Sequence, residues 1–195
     1  MAEMYPVFLK LEGRPVLVVG AGKVALRKVE ALLEAGAAVR VVAPEVCPGL
    51  QELAAAGRLV LQQRPWQIDD CAGTLLVVAA TGDAALNAQI RQSARTAGAL
   101  VNAVDDPDNC DFYVPAVARR GDLRIAVSTQ GAAPLIASRV REHLEKTLPV
   151  ELADVIEAVS AERARLLASG LPEQARLRRL RVFLNAELEH WGLKL

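Results

Sequence analysis

The sequence predicts an α/β fold: a doubly wound parallel sheet, followed by a small hairpin and helices. Three observations carry that expectation. Short apolar runs rich in valine alternate with amphipathic stretches of helical period as far as residue 104. Gly36, Gly57 and Gly98 stand where successive helical stretches should stop. The first apolar run also ends in a glycine turn that opens directly into a helix.

The 195 residues suit one domain of ordinary size with an appendage, or two small domains. Hydrophobic residues make up 52% and aromatics only 4%, so valine, leucine and alanine must build the core. The formal net charge is zero, which argues against broad nucleic-acid binding. Apolar runs are short and broken by charge, so no membrane span is expected. The stretch Met1–Pro6 lacks the basic-then-apolar pattern of a secretory leader. Cys47, Cys71 and Cys110 are odd in number and far apart, as free thiols of a cytoplasmic protein would be. His143 and His190 are the only histidines, and no set of residues has the spacing of a metal site.

Met4–Leu11 is an apolar lead-in that suits an edge strand. Val16–Val19 is a buried strand, β-branched and uncharged. Lys23–Glu34 reads as a helix closed by Gly36, and Val39–Ala43 as a second strand stopped by Pro44. Strand, helix and strand in that order make a parallel pair with a right-handed crossover. A short helix follows from Pro48, then a strand at Leu59–Gln62, and a loop with one turn from Arg64 to Cys71. Thr74–Ala80, a helix from Ala84 to about Ala97, and Ala99–Val104 complete the alternating part. Two β-like runs, Phe112–Ala118 and Leu123–Ser128, then flank a short turn at Gly121, as in an antiparallel hairpin. Gly131-Ala-Ala-Pro leads into a helix to about Lys146. The pattern beyond Pro149 is helical, interrupted at Ser169-Gly-Leu-Pro. The expected divisions are a nucleotide-binding domain over 1–111, a hairpin-and-helix region over 112–148, and a helical region over 149–195.

Gly20, Gly22 and Ala25 match the Rossmann-like fingerprint G-x-G-x-x-G/A between a strand and a helix. Gly20 permits the tight turn, Gly22 lets a pyrophosphate approach the backbone, and a small third residue lets helix and strand pack closely. The phosphates would rest on the free N–H groups at the helix start, where the macrodipole favours negative charge. Other polar candidates gather at the C-terminal ends of strands, where open α/β sheets bind ligands. They are Pro44 and Glu45, Thr81, and Asn102 with Asp105. No arginine follows the second strand directly, and Glu45 suits a ribose hydroxyl, so NAD is favoured over NADP. Ser128 and Thr129 close the hairpin ahead of Gly131. An Asp-Pro turn at 106–107 and a helix cap at Ser128 are the plainer readings of those two stretches.

Four stretches together resemble a known family. Gly20-Ala-Gly-Lys-Val-Ala-Leu-Arg-Lys28, Asn102-Ala-Val-Asp-Asp-Pro107, Phe112-Tyr-Val-Pro-Ala116 and Val127-Ser-Thr-Gln-Gly-Ala-Ala-Pro134 are similar to the precorrin-2 dehydrogenase/sirohydrochlorin ferrochelatase family, the N-terminal module of siroheme synthase. The resemblance runs from about Tyr5 to Leu148. It implies NAD-dependent oxidation of precorrin-2 to sirohydrochlorin and, in some members, insertion of ferrous iron as a substrate. It places the family's key aspartate on Asp105 and cofactor contacts on Lys23, Val24, Pro44 and Glu45. It also implies a homodimer built through the region after the nucleotide domain. No methyltransferase half is expected within these 195 residues. Ala133 stands where the family often has a serine, which removes one hydroxyl from the expected substrate side.

The expected site is therefore Asp105 as catalytic carboxylate, Gly20, Gly22, Lys23, Val24, Pro44, Glu45 and Thr81 around the cofactor, and Asn102, Ser128 and Thr129 towards a tetrapyrrole. Arg119, Arg120 and Arg124, or the set Arg176, Arg178, Arg179 and Arg181, would suit its carboxylates. Two other readings stay open at this point: a non-catalytic NAD-binding redox-sensing module, and a dehydrogenase lacking chelatase activity.

Overall fold

The computed structural model describes residues 3–104, 106 and 110–194. The chain divides into two compact units, Met1–Tyr113 and Val114–Leu195.

The first unit is built on five strands: β1 (Pro15–Val19), β2 (Ala38–Val42), β3 (Val60–Gln62), β4 (Leu76–Ala79) and β5 (Leu100–Ala103). Their order across the sheet is β3-β2-β1-β4-β5, with every neighbouring pair parallel. The helices are α1 (Lys23–Glu34), α2 (Pro48–Ala55) and α3 (Ala84–Thr96), with a 3₁₀ turn at Ile68–Cys71. Alternation along the strands sorts the core into two layers. Val16 and Val18 of β1 pack in one layer with Ala25 and Val29 of α1 and Leu50 of α2. Leu17 and Val19 point the other way, into a layer with Ile90 and Ala94 of α3. Both faces of β1 are thus covered, which is why its sequence is continuously apolar. The fold class is as expected, with strand ends that shift by a residue or two.

The segment Met4–Leu11 corrects one expectation: it forms no strand. Leu11 alone enters the core, while Tyr5, Val7, Phe8 and Leu9 are exposed. Pro6 removes a donor that pairing would need.

The second unit holds an antiparallel hairpin, β6 (Ala116–Arg120) with β7 (Leu123–Val127), in the register Ala116↔Val127. Its two-residue turn has Gly121 at φ 53, a conformation that matches the twist of the flanking strands. A Cβ at Gly121 would lie 2.7 Å from the Cβ of Ala153, so the turn and the next helix approach too closely for a side chain there. The hairpin is shorter than the sequence suggested, since Phe112–Pro115 runs without regular structure. Helix α4 (Pro134–Thr147) packs on both hairpin strands, and α5 (Leu152–Ala168) packs on α6 (Glu173–His190). No helix among the described residues is long and apolar enough to cross a membrane.

Candidate active site

The chain order reverses at β1, which lies between β2 and β4, and ligands of open α/β sheets bind at the C-terminal side of such a point. Backbone hydrogen bonds join the loops there into one ledge. Gly20 N–H donates to Val42 O at 3.0 Å, Cys47 N–H to Ala21 O at 3.0 Å, and Ala80 N–H to Val19 O at 2.8 Å. Gly20, Gly22, Pro44, Glu45, Thr81 and Asn102 all lie along this edge of the sheet or in the loops leaving it.

The two glycines do different work. Gly20 has φ 102, and a Cβ there would lie 2.3 Å from Ala80 O, so it is required by the crossing of two loops. Gly22 is the N-cap of α1, with an ordinary φ of −84, no side-chain cap, and nothing within 4 Å of where a Cβ would be. The start of α1 therefore presents backbone donors into open space, with Lys23 and Val24 exposed beside them. That is the cradle a dinucleotide pyrophosphate needs, and these residues fit one. Ala25, fully buried, lets α1 sit close on β1.

Thr81 is fixed by a residue that the sequence reading passed over. Asn87 on α3 is buried; its Oδ1 accepts from the Thr81 hydroxyl at 2.6 Å, and its Nδ2 donates to Thr81 O at 3.3 Å. Asp83 caps the same helix, accepting from Ala85 N–H at 2.8 Å. Asn87 shares a helical stripe with Ile90 and Ala94, and a polar residue in an apolar stripe was the available signal.

At β5, Val104 N–H donates to Ala79 O at 2.9 Å, which carries the chain out beside β4. Asp105 lies outside the described residues. The chain returns at Cys110 and Asp111. Asp111 exchanges bonds with Val101, its N–H donating to Val101 O at 2.7 Å and its Oδ2 accepting from Val101 N–H at 3.0 Å. Arg95 on α3 pairs with the other carboxylate oxygen at 2.5 Å. Asn102 is buried and donates from Nδ2 to Phe112 O at 3.0 Å. Burial pushes the half-buried Cys110 thiol above its ordinary pKa, against the hydrogen bond it makes with the Ala103 backbone.

Ser128 and Thr129 belong to the second unit. Ser128 Oγ accepts from Gln130 N–H at 3.1 Å, and Thr129 Oγ1 from Ala133 N–H at 3.0 Å. Both hydroxyls shape the turn into α4, where Gln130 takes a φ of 53 and is the one non-glycine residue with positive φ among those described. Of the hairpin arginines, Arg120 donates to Glu145 O and Arg124 to Gly121 O.

Residues 7–116 match the family model described as putative NAD(P)-binding, and residues 120–147 match the model of the sirohaem biosynthesis protein central region. The chain belongs to the family of siroheme synthase N-terminal modules. It is 43% identical over 153 residues to the siroheme synthase of Neisseria meningitidis serogroup C (strain 053442), covering 78% of this chain and 32% of that protein. Against the siroheme synthase of Ectopseudomonas mendocina (strain ymp) the identity is 47% over 147 residues, covering 75% and 31%. The chain thus spans about a third of the length of the curated relatives it matches. A solved structure, "SirC, precorrin-2 dehydrogenase", superposes with a TM-score of 0.79 at 28% identity, covering 96% of this chain and 98% of that one.

Proposed function

We propose that this chain oxidises precorrin-2 to sirohydrochlorin with NAD as acceptor. The observation that carries this reading is the match to a precorrin-2 dehydrogenase over nearly the full length of both chains. The open start of α1 beside Gly22 supports the cofactor half of it.

In this reading Gly20 shapes the turn, and the backbone at Gly22, Lys23 and Val24 holds the pyrophosphate. Glu45 takes a ribose hydroxyl, with Pro44 and Thr81 bordering the cofactor. The nicotinamide, when bound, supplies the hydride acceptor. The protein must then orient the macrocycle and take up a proton. We assign the proton to Asp105, which follows Val104 directly at the end of β5. Asn102, Ser128 and Thr129 are the proposed substrate residues, Asn102 acting through the loop that it anchors. NAD is preferred to NADP in this account. Arg40, the arginine within β2, is paired with Asp70 at 3.1 Å, which leaves it poorly placed to serve a ribose 2′-phosphate.

We further propose that the chain acts as a homodimer. Leu135, Ile136 and Val140 on α4 are 83%, 59% and 40% exposed, and a second copy would cover that face.

The test is the purified protein with precorrin-2 and NAD, with and without ferrous iron, followed by absorbance. NAD-dependent formation of sirohydrochlorin is the expected result. A further change that needs iron would add chelatase activity, while its absence leaves a dehydrogenase alone. NAD binding without turnover would contradict the proposal and favour a sensing module.

A further inference from the structure

We propose that Asn87 is a positioning residue for the cofactor, whose buried amide holds Thr81, and with it the loop after β4, in the shape that NAD binds. The inference rests on the assignment of Gly20, Gly22 and Thr81 to the cofactor edge and adds the means by which one wall of that edge is held.

Asparagine is a weak helix former, and burying its amide is costly unless partners are supplied, so its place inside α3 asks for a reason. Asn87 shares the inward stripe of α3 with Ile90 and Ala94, and all three are buried. The amide is aimed at a single residue. Oδ1 accepts from the Thr81 hydroxyl at 2.6 Å and from Thr81 N–H at 3.4 Å, and Nδ2 donates to Thr81 O at 3.3 Å. The backbone of the same turn reinforces this: Asp83 N–H donates to Thr81 Oγ1 at 3.2 Å, and Asn87 N–H to Asp83 O at 3.0 Å. The N–H, carbonyl and hydroxyl of Thr81 are thus all engaged by Asn87 or Asp83.

Thr81 also stands against the phosphate turn. Ala80 N–H donates to Val19 O at 2.8 Å, and a Cβ on Gly20 would lie 3.1 Å from Thr81 N. A buried side chain on α3 therefore sets the surface on which the Gly20 turn rests, beside the point where the strand order reverses. The Thr81 hydroxyl proton is given to Asn87 Oδ1, so Thr81 borders the cofactor as a fixed surface rather than as a hydroxyl donor. Without the amide, the polar groups of Thr81 would turn to water, and residues 80–83 would take several shapes from which NAD must select one. A leucine at 87 would continue the apolar stripe of Ile90 and Ala94, so the amide serves the loop rather than the core.

The experiment compares the whole wild-type chain with Asn87→Leu, Asn87→Ser, Thr81→Val, the double variant Asn87→Leu with Thr81→Val, Ile90→Val and Gly22→Asp. NAD affinity is measured by calorimetry, stability by melting, and KM for NAD and kcat by precorrin-2 oxidation. Asn87→Leu should raise Kd and KM for NAD about 10-fold, as when the binding-competent loop falls to about a tenth of the population, with kcat at saturating NAD near the wild-type value. Thr81→Val should weaken NAD binding as well, and the double variant should lose no more than the worse of the two single ones, because both remove the same tie. Additive losses would overturn the path through Thr81. Ile90→Val lies on the same stripe and should lower the melting temperature while NAD affinity holds. NAD affinity that follows melting temperature across all variants, Ile90→Val included, would reduce Asn87 to a structural residue and overturn the proposal. Wild-type NAD affinity in Asn87→Leu, beside lost binding in Gly22→Asp, overturns the role of Asn87 and leaves the cofactor site standing. Unchanged NAD affinity in Gly22→Asp overturns the cofactor assignment itself, and the purpose of Asn87 with it. Should Asn87→Leu fail to fold, Asn87→Ser decides, since its hydroxyl is too short to span to Thr81: a raised KM for NAD at unchanged kcat supports the proposal, and a wild-type KM refutes it.

Discussion

A Cβ on Gly20 would lie 2.3 Å from the carbonyl oxygen of Ala80. The first turn of the fingerprint is thus pressed against the end of β4, and the two glycines separate cleanly in their roles. Gly20→Ala should destabilise the fold, by about 1–3 kcal/mol from the positive φ alone and more from the contact. Gly22→Asp should leave melting temperature unchanged or higher, since the backbone is relaxed and aspartate caps helices well. NAD binding should nevertheless vanish in that variant, because a carboxylate would stand in the pyrophosphate position. Melting curves and calorimetry on both variants check this pair, and unchanged NAD affinity in Gly22→Asp would contradict it.

The cofactor preference is a second expectation. Wild-type protein should turn over faster with NAD than with NADP, and Glu45→Ala should narrow the gap through a higher KM for NAD. Kinetics with both cofactors test it, and equal or better turnover of the wild type with NADP would overturn it.

Asp70 governs a third. Its carboxylate accepts from Arg64 at 2.6 Å, from Arg40 at 3.1 Å and from Gln67 N–H at 2.8 Å, tying β2 and the chain after β3 to the 3₁₀ turn. The Arg64 hydrogen bond does most to lower its pKa, against burial, which raises it, and with the Gln67 bond and the two positive charges assisting. A lowered folded pKa means that the contribution is fully present above the unfolded value of about 3.9 and is lost as pH falls through the folded one. Asp70→Asn should therefore cost about 1–3 kcal/mol at neutral pH, through donors left with a weaker acceptor. The gap between variant and wild type should shrink below about pH 4. Urea unfolding at several pH values measures it, and a gap that widens in acid would refute the sign.

Much of the first unit was legible because each element announces itself locally. Val16–Val19 is apolar on both faces, and Gly36 and Gly98 sit past the ends of α1 and α3 with positive φ. What escaped the sequence is held by partners distant along the chain. Asp70 meets Arg40 across thirty residues, and nothing near either one signals the pair. Cys110 looks like any free thiol in the sequence, yet its Sγ lies against the backbone of Ala103 in the edge strand β5. Met4–Leu11 carries strand-like residues, but it pairs with no strand among the described residues. Ser128 and Thr129 were read for their hydroxyls, and the structure shows those hydroxyls bonded within the turn before α4.

The exposed face of α4 gives a fourth expectation. If the chain pairs through α4 as proposed, Leu135→Glu should leave the melting of a protomer nearly unchanged at its exposed position and yield single chains where the wild type is dimeric. Light scattering at micromolar concentration reports the mass, and a wild type already at the mass of one chain would contradict the dimer.

The account turns on Asp105, and the most direct measurement is the rate of precorrin-2 oxidation by Asp105→Asn. Asparagine keeps the size and much of the hydrogen bonding but removes the base. The rate should fall by about 10²–10⁴-fold, with NAD affinity little changed. Turnover at the wild-type rate, with Asp106→Asn or Ser128→Ala inactive instead, would place the chemistry on another residue and contradict the account.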